Sequence, residues 1–323
     1  MIDIVNLGDC PLSRKNGTYG GAAGNKEGIL FKGELWLVKY PKNIRGLQNT
    51  GGASYSTAPL SEYIGSRIFD ILGYDVHRTF LGERNDKLVV ACKDFAIQDI
   101  LLEIRTIKNY ANKELAELLE ESFSETESSH LVNLEEVLLH MKYNPILRNV
   151  EGICERFWEQ AIVDIYINNN DRNNGNWGIL RDIEGADFLA PVFDNGGCLQ
   201  TKISENKICA VLANEAEAAQ NACNTQTAYG IGGHALSAKK FLDLYETHIE
   251  LRKALLKAVP LIKDREQKIH DMICDIPEKH MLQNGGIIDV CSYNRKKLYL
   301  LQMRSRLENL LEPYWKRAQN FKG

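Results

Sequence analysis

The chain has 323 residues, 44% of them hydrophobic and 25% charged, and a formal net charge of −4. This composition is that of a folded globular protein, and the length suits two packed lobes or domains. The weakly acidic balance argues against a broad nucleic-acid surface. No apolar run approaches the roughly 20 residues that a bilayer span needs, and the N-terminus lacks the pattern of a signal peptide. We therefore expect a cytoplasmic protein that contacts no membrane, with its eight cysteines reduced.

The first hundred residues predict a β-rich N-lobe with one helix. Two apolar runs flank a Lys-Gly turn, which is typical of a β-hairpin. Pro59 then opens a helix in which apolar residues recur at helical spacing, and Gly73 marks its end. The predicted elements, in chain order, are strands 28–31 and 34–39, helix 59–72, and strands 76–81 and 87–92.

From about residue 100 the pattern becomes mostly helical. One helix is marked by an apolar stripe that includes Phe157, Ala161 and Ile165, and it ends in the Asn-rich run 168–170. The change of character near residues 93–100 divides the chain into an N-lobe, 1–95, and a larger, mostly helical C-lobe, 96–323. The fold class is therefore α+β. Further helices are predicted over 112–123, 134–141, 239–270 and 298–317.

The densest polar motif follows the helix with the apolar stripe and reads Asp171-Arg-Asn-Asn-Gly-Asn176-Trp-Gly178. A later strand ends in Asp194. Asn176 and Asp194 are equally far from Gly185 in sequence, so a hairpin centred on Gly185 brings both to its open end. Oxygen atoms of Asn and Asp are ligands that magnesium prefers, and magnesium shares such sites with substrate phosphates. Because Asp171 on the adjoining loop can accept or orient a hydroxyl proton, the motif predicts phosphoryl transfer.

Other interpretations of the motif are weaker. Loops of Asn, Asp and Gly are often plain turns, and an isolated Asp-x₄-Asn match is more often chance than catalysis. A calcium loop that starts at Asn169 fails, since Asn174 stands where that loop needs glycine and Leu180 where it needs a bidentate Glu. The phosphoryl-transfer interpretation draws its main support from residues upstream.

A lysine and a glutamate in the N-lobe point to the same chemistry. Lys39 ends an apolar strand, and a buried lysine is rare unless it is paired. Glu62 lies in the first turn of the predicted helix, off its apolar stripe, and is the expected partner. Alone, Lys39 fits a strand-end lysine that reaches solvent, and Glu62 fits a favourable charge at a helix N-terminus. In the chain, Lys39 and Glu62 precede the three polar residues Asp171, Asn176 and Asp194. The corresponding residues of a kinase have the same order.

Two further stretches are candidates for nucleotide binding. A glycine-rich segment, 17–26, precedes the first hairpin, and its amides can cradle phosphate oxygens, although it fits neither common glycine-loop motif. The end of the last N-lobe strand offers extended backbone for adenine, but an ordinary linker fits equally well. The candidate nucleotide-binding residues are Gly20, Gly21, Gly24, Lys26, Lys39, Cys92 and Asp94.

Together these motifs resemble the HipA-like serine/threonine kinases, in particular their compact single-chain branch of cell-translocating kinases. The resemblance runs from about residue 16 to residue 200, and it is weaker beyond. Its most specific part is the run 171–178 with the later Pro-x-Phe-Asp. The matching stretches are 20–26, 37–41, 61–63, 89–95, 170–178 and 190–197.

The resemblance implies a bilobal protein-kinase-like fold, with a small β-rich N-lobe, a larger mostly helical C-lobe and ATP between them. It implies that Asp171 is the catalytic aspartate and that Asn176 and Asp194 bind Mg²⁺. It also implies that Lys39 binds the phosphates of ATP, paired with Glu62.

The acceptor is likewise implied by the resemblance: a serine or threonine hydroxyl of a protein, including the chain itself. A regulatory partner of the antitoxin kind is compatible with it. HipA proteins carry a regulatory serine in the nucleotide loop, whereas this chain has Thr18 and Tyr19 in that neighbourhood. The resemblance does not extend to that serine.

Two other functions stay open. Phosphoinositide kinases also use an Asp-Arg-x-x-x-Asn loop, so a lipid or small-molecule kinase is an alternative. Residues 200–235 lack the basic charge expected of a membrane-facing segment, which argues against a lipid substrate. The other alternative is a nucleotide-binding regulator without catalysis, a pseudokinase, although all five expected residues are intact.

Overall fold

The computed structural model describes residues 2–18, 25–48, 50–123 and 131–322. The strands, in chain order, are β1 (Val5–Asn6), β2 (Lys26–Phe31), β3 (Glu34–Lys39), β4 (Thr79–Arg84), β5 (Lys87–Lys93), β6 (Ile100–Glu103), β7 (Val132–Asn133), β8 (Gly178–Arg181), β9 (Asp187–Leu189), β10 (Gln226–Ile231), β11 (His234–Ser237), β12 (Lys279–Met281) and β13 (Ile287–Asp289). The α-helices are α1 (Ala58–Ile71), α2 (Ile104–Leu119), α3 (Leu134–Tyr143), α4 (Ile153–Ile167), α5 (Glu205–Leu212), α6 (Glu215–Ala222), α7 (Ala238–Asp243), α8 (Ile249–Cys274), α9 (Tyr293–Arg306) and α10 (Glu312–Gln319).

The chain groups into two compact units. The first unit comprises Met1–Phe95, Asn195–Ala222 and Ile262–Ser305, and the second comprises Ala96–Asp194, Cys223–Leu261 and Arg306–Gly323. Residues after 195 therefore contribute to both units. The assignment of lobes to 1–95 and 96–323 stays a prediction.

A five-stranded sheet of order β1-β4-β5-β3-β2 forms the centre of the first unit. The predicted hairpin is confirmed, because β2 and β3 pair antiparallel with Ile29 facing Trp36. The predicted helix is confirmed as α1, which packs on β4 and β5. Alternate residues of β3, such as Trp36 and Val38, are buried, as expected for a strand with one face on a core. The sheet's core consists of Leu7, Ile29, Trp36, Val38, Tyr40, Val89 and Ala91.

Helix α4 is the core of the second unit, and twelve of its residues are buried. Phe157 packs against Trp177 and Tyr229, with ring centroids 5.3 and 5.2 Å apart. Since Trp177 belongs to the polar motif, this aromatic cluster fixes the motif to the helix before it. Two three-stranded sheets complete the unit, with orders β6-β8-β9 and β11-β10-β7.

Some helix boundaries differ from the prediction. α2 begins at Ile104, earlier than predicted, because Ile107 and Ala111 extend its buried face by two turns. The helix predicted over 239–270 is instead two, α7 and α8. The turn between them is stabilised by Arg252, whose Nη1 donates to the carbonyl of Tyr245 at 2.8 Å.

Two further features concern the described part of the chain as a whole. No helix there is both long and apolar enough to cross a bilayer. The mixed architecture, with a β-rich N-terminal region and a mainly helical C-terminal region, confirms the α+β class.

Candidate active site

The end of α4 positions the Asp171 motif. The helix stops at Ile167, and Asn168 takes a left-handed backbone conformation with φ 55°. The side chain of Asn168 accepts a hydrogen bond from the hydroxyl of Thr225. The next amide, that of Asn169, donates to the carbonyl of Asp164 at 2.8 Å. These bonds fix the direction in which the chain leaves the helix, and the helix ends at the Asn-rich run, as predicted.

Arg172 is the central buried group of this loop. Its side chain is 1% exposed and pairs with Asp164 of α4 through two bonds, Nε to Oδ2 at 2.9 Å and Nη2 to Oδ1 at 3.0 Å. Burial lowers the pKa of Arg172 and the facing Asp164 carboxylate raises it; the net effect is a rise, so the guanidinium stays charged. Two buried charges that satisfy each other in this way fix the loop to the helix.

The third nitrogen of Arg172 joins two separate parts of the motif. Nη1 donates to the carbonyl of Asn176 at 3.0 Å and to that of Phe193 at 2.5 Å. Phe193 immediately precedes Asp194, so one guanidinium holds the backbone beside both predicted magnesium ligands. The sequence pattern alone indicated no role for Arg172. The available signal was Asp164, a carboxylate on the apolar C-terminal part of α4.

The hairpin after the motif is present, but its register differs from the prediction by one residue. Leu180 faces Phe188, so the ladder of β8 and β9 is centred on Glu184 rather than on Gly185. Asp182 forms the turn, since its Oδ1 accepts the amide hydrogen of Glu184 at 2.9 Å. Gly185 takes the left-handed position that follows such a turn, with φ 88°. The glycine marks the end of the turn and not its centre.

Asn176 and Asp194 are consequently not opposite each other in the ladder, and Arg172 provides the link between their backbones. Asp194 itself has left-handed backbone, with φ 58°. That conformation is uncommon outside glycine, although Asp adopts it more readily than most residues, and it concentrates at functional sites. Its side chain is partly buried.

Hydrogen bonds within the loop orient Asp171 and Asn176. Asn176 Nδ2 donates to the carbonyl of Asp171 at 2.6 Å, which directs Oδ1, the end of the amide that can bind a metal, to the opposite side. Asp171 Oδ1 accepts from Asn173 Nδ2 at 3.3 Å. Asp171 and Asn176 are both partly buried.

Gly178 allows the motif to pack closely against β6. A Cβ at this position would lie 2.3 Å from the carbonyl oxygen of Leu102, closer than atoms approach one another. The glycine of the Trp-Gly pair is therefore required by the close approach of two strands. It fixes the start of β8 and, through it, Asn176.

In the first unit, Lys39 and Glu62 form the pair that was predicted. Lys39 Nζ on β3 lies 2.8 Å from Glu62 Oε2 on α1, and the Glu62 side chain is 1% exposed. Oε1 accepts the amide hydrogen of Asn195 at 2.9 Å and lies 3.0 Å from Nε2 of His77. Burial raises the pKa of Glu62, but the Lys39 ammonium and the His77 ring outweigh it and hold the pKa well below its usual range. Glu62 is therefore ionised.

The other predicted nucleotide-binding residues are less informative. Gly20, Gly21 and Gly24 lie outside the described residues, and Lys26 is a partly buried residue of β2 whose register partner is Lys39. Cys92 is buried on β5. The amide of Asp94 donates to the carbonyl of Leu35 at 3.0 Å, and its carboxylate pairs with Lys15 at 2.8 Å. Their roles in nucleotide binding stay predictions.

Within the described residues, one group of three His, Cys, Asp or Glu side chains is close enough together to chelate a metal. Glu62, His77 and Cys92 are all buried and place one ligand atom each within 4.8 Å of the others. Glu62 already pairs with Lys39 and with His77. We therefore interpret the group as part of a hydrogen-bonded network.

Comparison with known proteins concerns the chain and its fold as a whole. No family model matches the chain. Over 207 residues it is 33% identical to the serine/threonine-protein kinase CtkA of Helicobacter pylori, an alignment that covers 64% of this chain and 59% of that relative. The crystal structure of a proinflammatory kinase CtkA from Helicobacter pylori superimposes with a TM-score of 0.81 at 27% identity, covering 99% of this chain and 100% of the other.

A more distant match shows the same fold. A chain in the complex of the Shewanella oneidensis toxin–antitoxin system, HipA, HipB and its operator DNA, superimposes with a TM-score of 0.55 at 11% identity. It covers 95% of this chain and 70% of the other. The fold is thus that of the HipA-like kinases. Together the matches confirm the resemblance drawn from the motifs, including the one to the CtkA branch.

Proposed function

We propose that the chain is a serine/threonine protein kinase of the HipA/CtkA type, dependent on ATP and Mg²⁺, that also phosphorylates itself. The observation that carries the proposal is the contact of Arg172 with the carbonyls of Asn176 and Phe193. It links the loop of the proposed catalytic Asp171 with the segment after β9 that bears Asp194; the strand predicted to end in Asp194 stops at Leu189.

The donor set of the second unit fits a magnesium ion. Asn176 offers Oδ1, because its Nδ2 is used by the carbonyl of Asp171. Asp194 offers a carboxylate on left-handed backbone. Oxygen ligands of this kind are what magnesium takes, usually with water and phosphate oxygens completing the shell. In this proposal Asn176 and Asp194 hold the ion, which when bound would neutralise charge on the transferring phosphate.

The remaining roles follow from charge and position. Asp171 accepts the proton of the acceptor hydroxyl, or orients that hydroxyl for in-line attack. Lys39 contributes its ammonium to the phosphates of ATP. Glu62 is ionised and buried, so it keeps the Lys39 side chain extended along one direction and limits its rotamers.

The acceptor and the partners are inferred with support from the relatives. CtkA bears the name of a serine/threonine-protein kinase, which supports a protein hydroxyl as the acceptor here. The chain spans 59% of the length of that curated relative, so its activity is a proposal for this chain. The HipA match comes from a complex with HipB, which supports a regulatory partner of the antitoxin kind. We propose the cytoplasm as the compartment.

Incubation of the purified chain with γ-labelled ATP and Mg²⁺ tests the proposal. We expect label on the chain itself and on a generic protein acceptor. Asp171→Ala and Asp194→Ala should each nearly abolish it without loss of the fold. Asp187→Asn is the matched control, because Asp187 lies on the same hairpin and pairs with Arg181. Label on lipid alone, nucleotide binding without turnover, or unchanged transfer in either alanine variant would overturn the proposal.

A further inference from the structure

His77 is a buried histidine that lies outside every motif of the resemblance. It stands between α1 and β4, and 5% of its surface is exposed. Buried polar groups are retained where they find hydrogen-bonding partners, because an unpaired one destabilises the fold. The partners of His77 therefore indicate what the residue does.

The imidazole bonds to the glutamate that pairs with Lys39. His77 Nε2 lies 3.0 Å from Glu62 Oε1 and 3.0 Å from the hydroxyl oxygen of Ser66. Glu62 is ionised, and a carboxylate without a proton can only accept hydrogen bonds. The hydrogen in the contact with Glu62 is therefore carried by Nε2, and the ring acts as a donor.

The contacts of His77 close into a circuit. Asn195 donates twice, from its amide to Glu62 Oε1 at 2.9 Å and from Nδ2 to the Ser66 hydroxyl at 3.0 Å. Ser66 in turn contacts His77 Nε2. Gly65 permits this proximity, since a Cβ on it would lie 2.8 Å from Cβ of Asn195. Helix α1 and residue 195 are thus joined by hydrogen bonds around a single buried carboxylate.

The two oxygens of Glu62 have separate tasks. Oε2 faces Lys39, whereas Oε1 is held by His77 and Asn195. A carboxylate fixed at one oxygen cannot rotate, so its other oxygen stays directed at the ammonium. Asn195 also follows Asp194 in the chain, and a fixed Asn195 restricts the backbone on one side of that residue.

We propose that His77 is a positioning residue, which holds Glu62 in the rotamer that pairs with Lys39, with Ser66 and Asn195 completing the circuit. The inference rests on the proposed function for its kinetic consequences. The geometric part of the inference is independent of the proposed function, because the position of Glu62 can be measured in the absence of any activity.

Kinetics of His77 variants provide the first test. His77→Leu should lower kcat/KM for ATP about tenfold or more, the loss expected when a hydrogen bond to a charged group is removed. The effect of His77→Leu should also be divided between kcat and KM in the same way as the effect of Glu62→Gln. His77→Gln can place an amide Nε2 donor near the same point and should recover most of the rate. Added to Glu62→Gln, His77→Leu should have little further effect.

His280→Leu is the control, because His280 Nε2 lies 2.7 Å from Glu83 Oε2 in another His–Glu pair, which is more exposed and lies outside the circuit. It should leave the kinetics unchanged. If His77→Leu fails to fold, Ser66→Ala is the substitute, because it removes a member of the same circuit with less loss of volume. We expect it to lower kcat/KM for ATP in the same way, but by a smaller factor. A His77→Leu enzyme with wild-type kcat/KM, or losses that add in full with Glu62→Gln, would overturn the inference.

A crystal structure of His77→Leu separates this inference from the proposed function. We expect Glu62 to turn away, so that Oε2 is no longer within hydrogen-bonding distance of Lys39 Nζ. Retention of the 2.8 Å pair in that variant would refute the positioning role even if the chain transferred no phosphate. If the wild-type chain is inactive but the pair breaks as expected, the proposed function fails and the positioning role stands.

Discussion

Replacing Arg172 with methionine removes the cation that faces Asp164 and, with it, the donor to two backbone carbonyls. The Asp164 side chain is 3% exposed, so its charge would be left buried and unpaired. Removing one partner of a buried ion pair costs about 3–5 kcal/mol. Each lost bond to a carbonyl adds about 1 kcal/mol. We expect the free energy of unfolding to fall by about 5 kcal/mol or more.

A double variant separates the effect on stability from that on catalysis. When Arg172→Met is combined with Asp164→Leu, both charges disappear, and an apolar replacement of a buried pair is often neutral or stabilising. The cost of the unpaired charge should therefore disappear, and the free energy of unfolding should stay below that of the wild type only by the about 2 kcal/mol of the two missing carbonyl bonds. The carbonyls of Asn176 and Phe193 still lack their donor, so phosphoryl transfer should stay about a hundredfold below that of the wild type.

Urea unfolding monitored by tryptophan fluorescence gives the stability, and transfer of labelled phosphate to a protein acceptor gives the rate. Arg181→Met is the control, since its pair with Asp187 is more exposed, at 35% and 17%, and should contribute less than about 1 kcal/mol. If the double variant regained the rate together with the stability, Arg172 would act on the fold alone.

Three further predictions concern other parts of the molecule. Lys39→Met should lower kcat/KM for ATP at least about tenfold in a chain that remains folded by circular dichroism, and an unchanged value would contradict its role. Gly178→Ala should destabilise the chain by about 2 kcal/mol or more, because the new Cβ would meet the carbonyl of Leu102 at 2.3 Å; an unchanged urea midpoint would contradict this close approach. Burial and the nearby Lys108 lower the pKa of His140 from 6.5 to about 4, so the unfolded chain binds its proton first as the pH falls. Stability should be complete above about pH 6.5 and should decline by on the order of 2 kcal/mol towards pH 4, and His140→Gln should reduce this slope.

The parts of the fold that depend on local pattern were predictable. The β2–β3 hairpin and α1 follow from a glycine turn, helical spacing and a proline start, and all three are local signals. The register of the later hairpin was not predictable in the same way. Gly185 was assumed to be its centre, whereas the side chain of Asp182 sets the turn and leaves the glycine at its end.

The residues of the candidate site also differ in whether they could be assigned from sequence. Lys39 and Glu62 could be paired from sequence because a charged residue at the end of an apolar strand needs a partner of opposite charge. Glu62, on the following helix, is such a partner. His77 and Arg172 could not be assigned, since their roles depend on contacts with residues distant in the chain. The contact of Arg172 with Phe193 spans 21 positions, and no local periodicity reports such a bond.

Crystallisation with Mn²⁺ and a non-hydrolysable ATP analogue tests the central claim most directly, because manganese replaces magnesium and can be located by its anomalous scattering. The account predicts a manganese peak at about 2.1 Å from Oδ1 of Asn176 and from a carboxylate oxygen of Asp194, with phosphate oxygens in the same shell. Manganese bound elsewhere, or bound with both side chains turned away from the nucleotide, would contradict it.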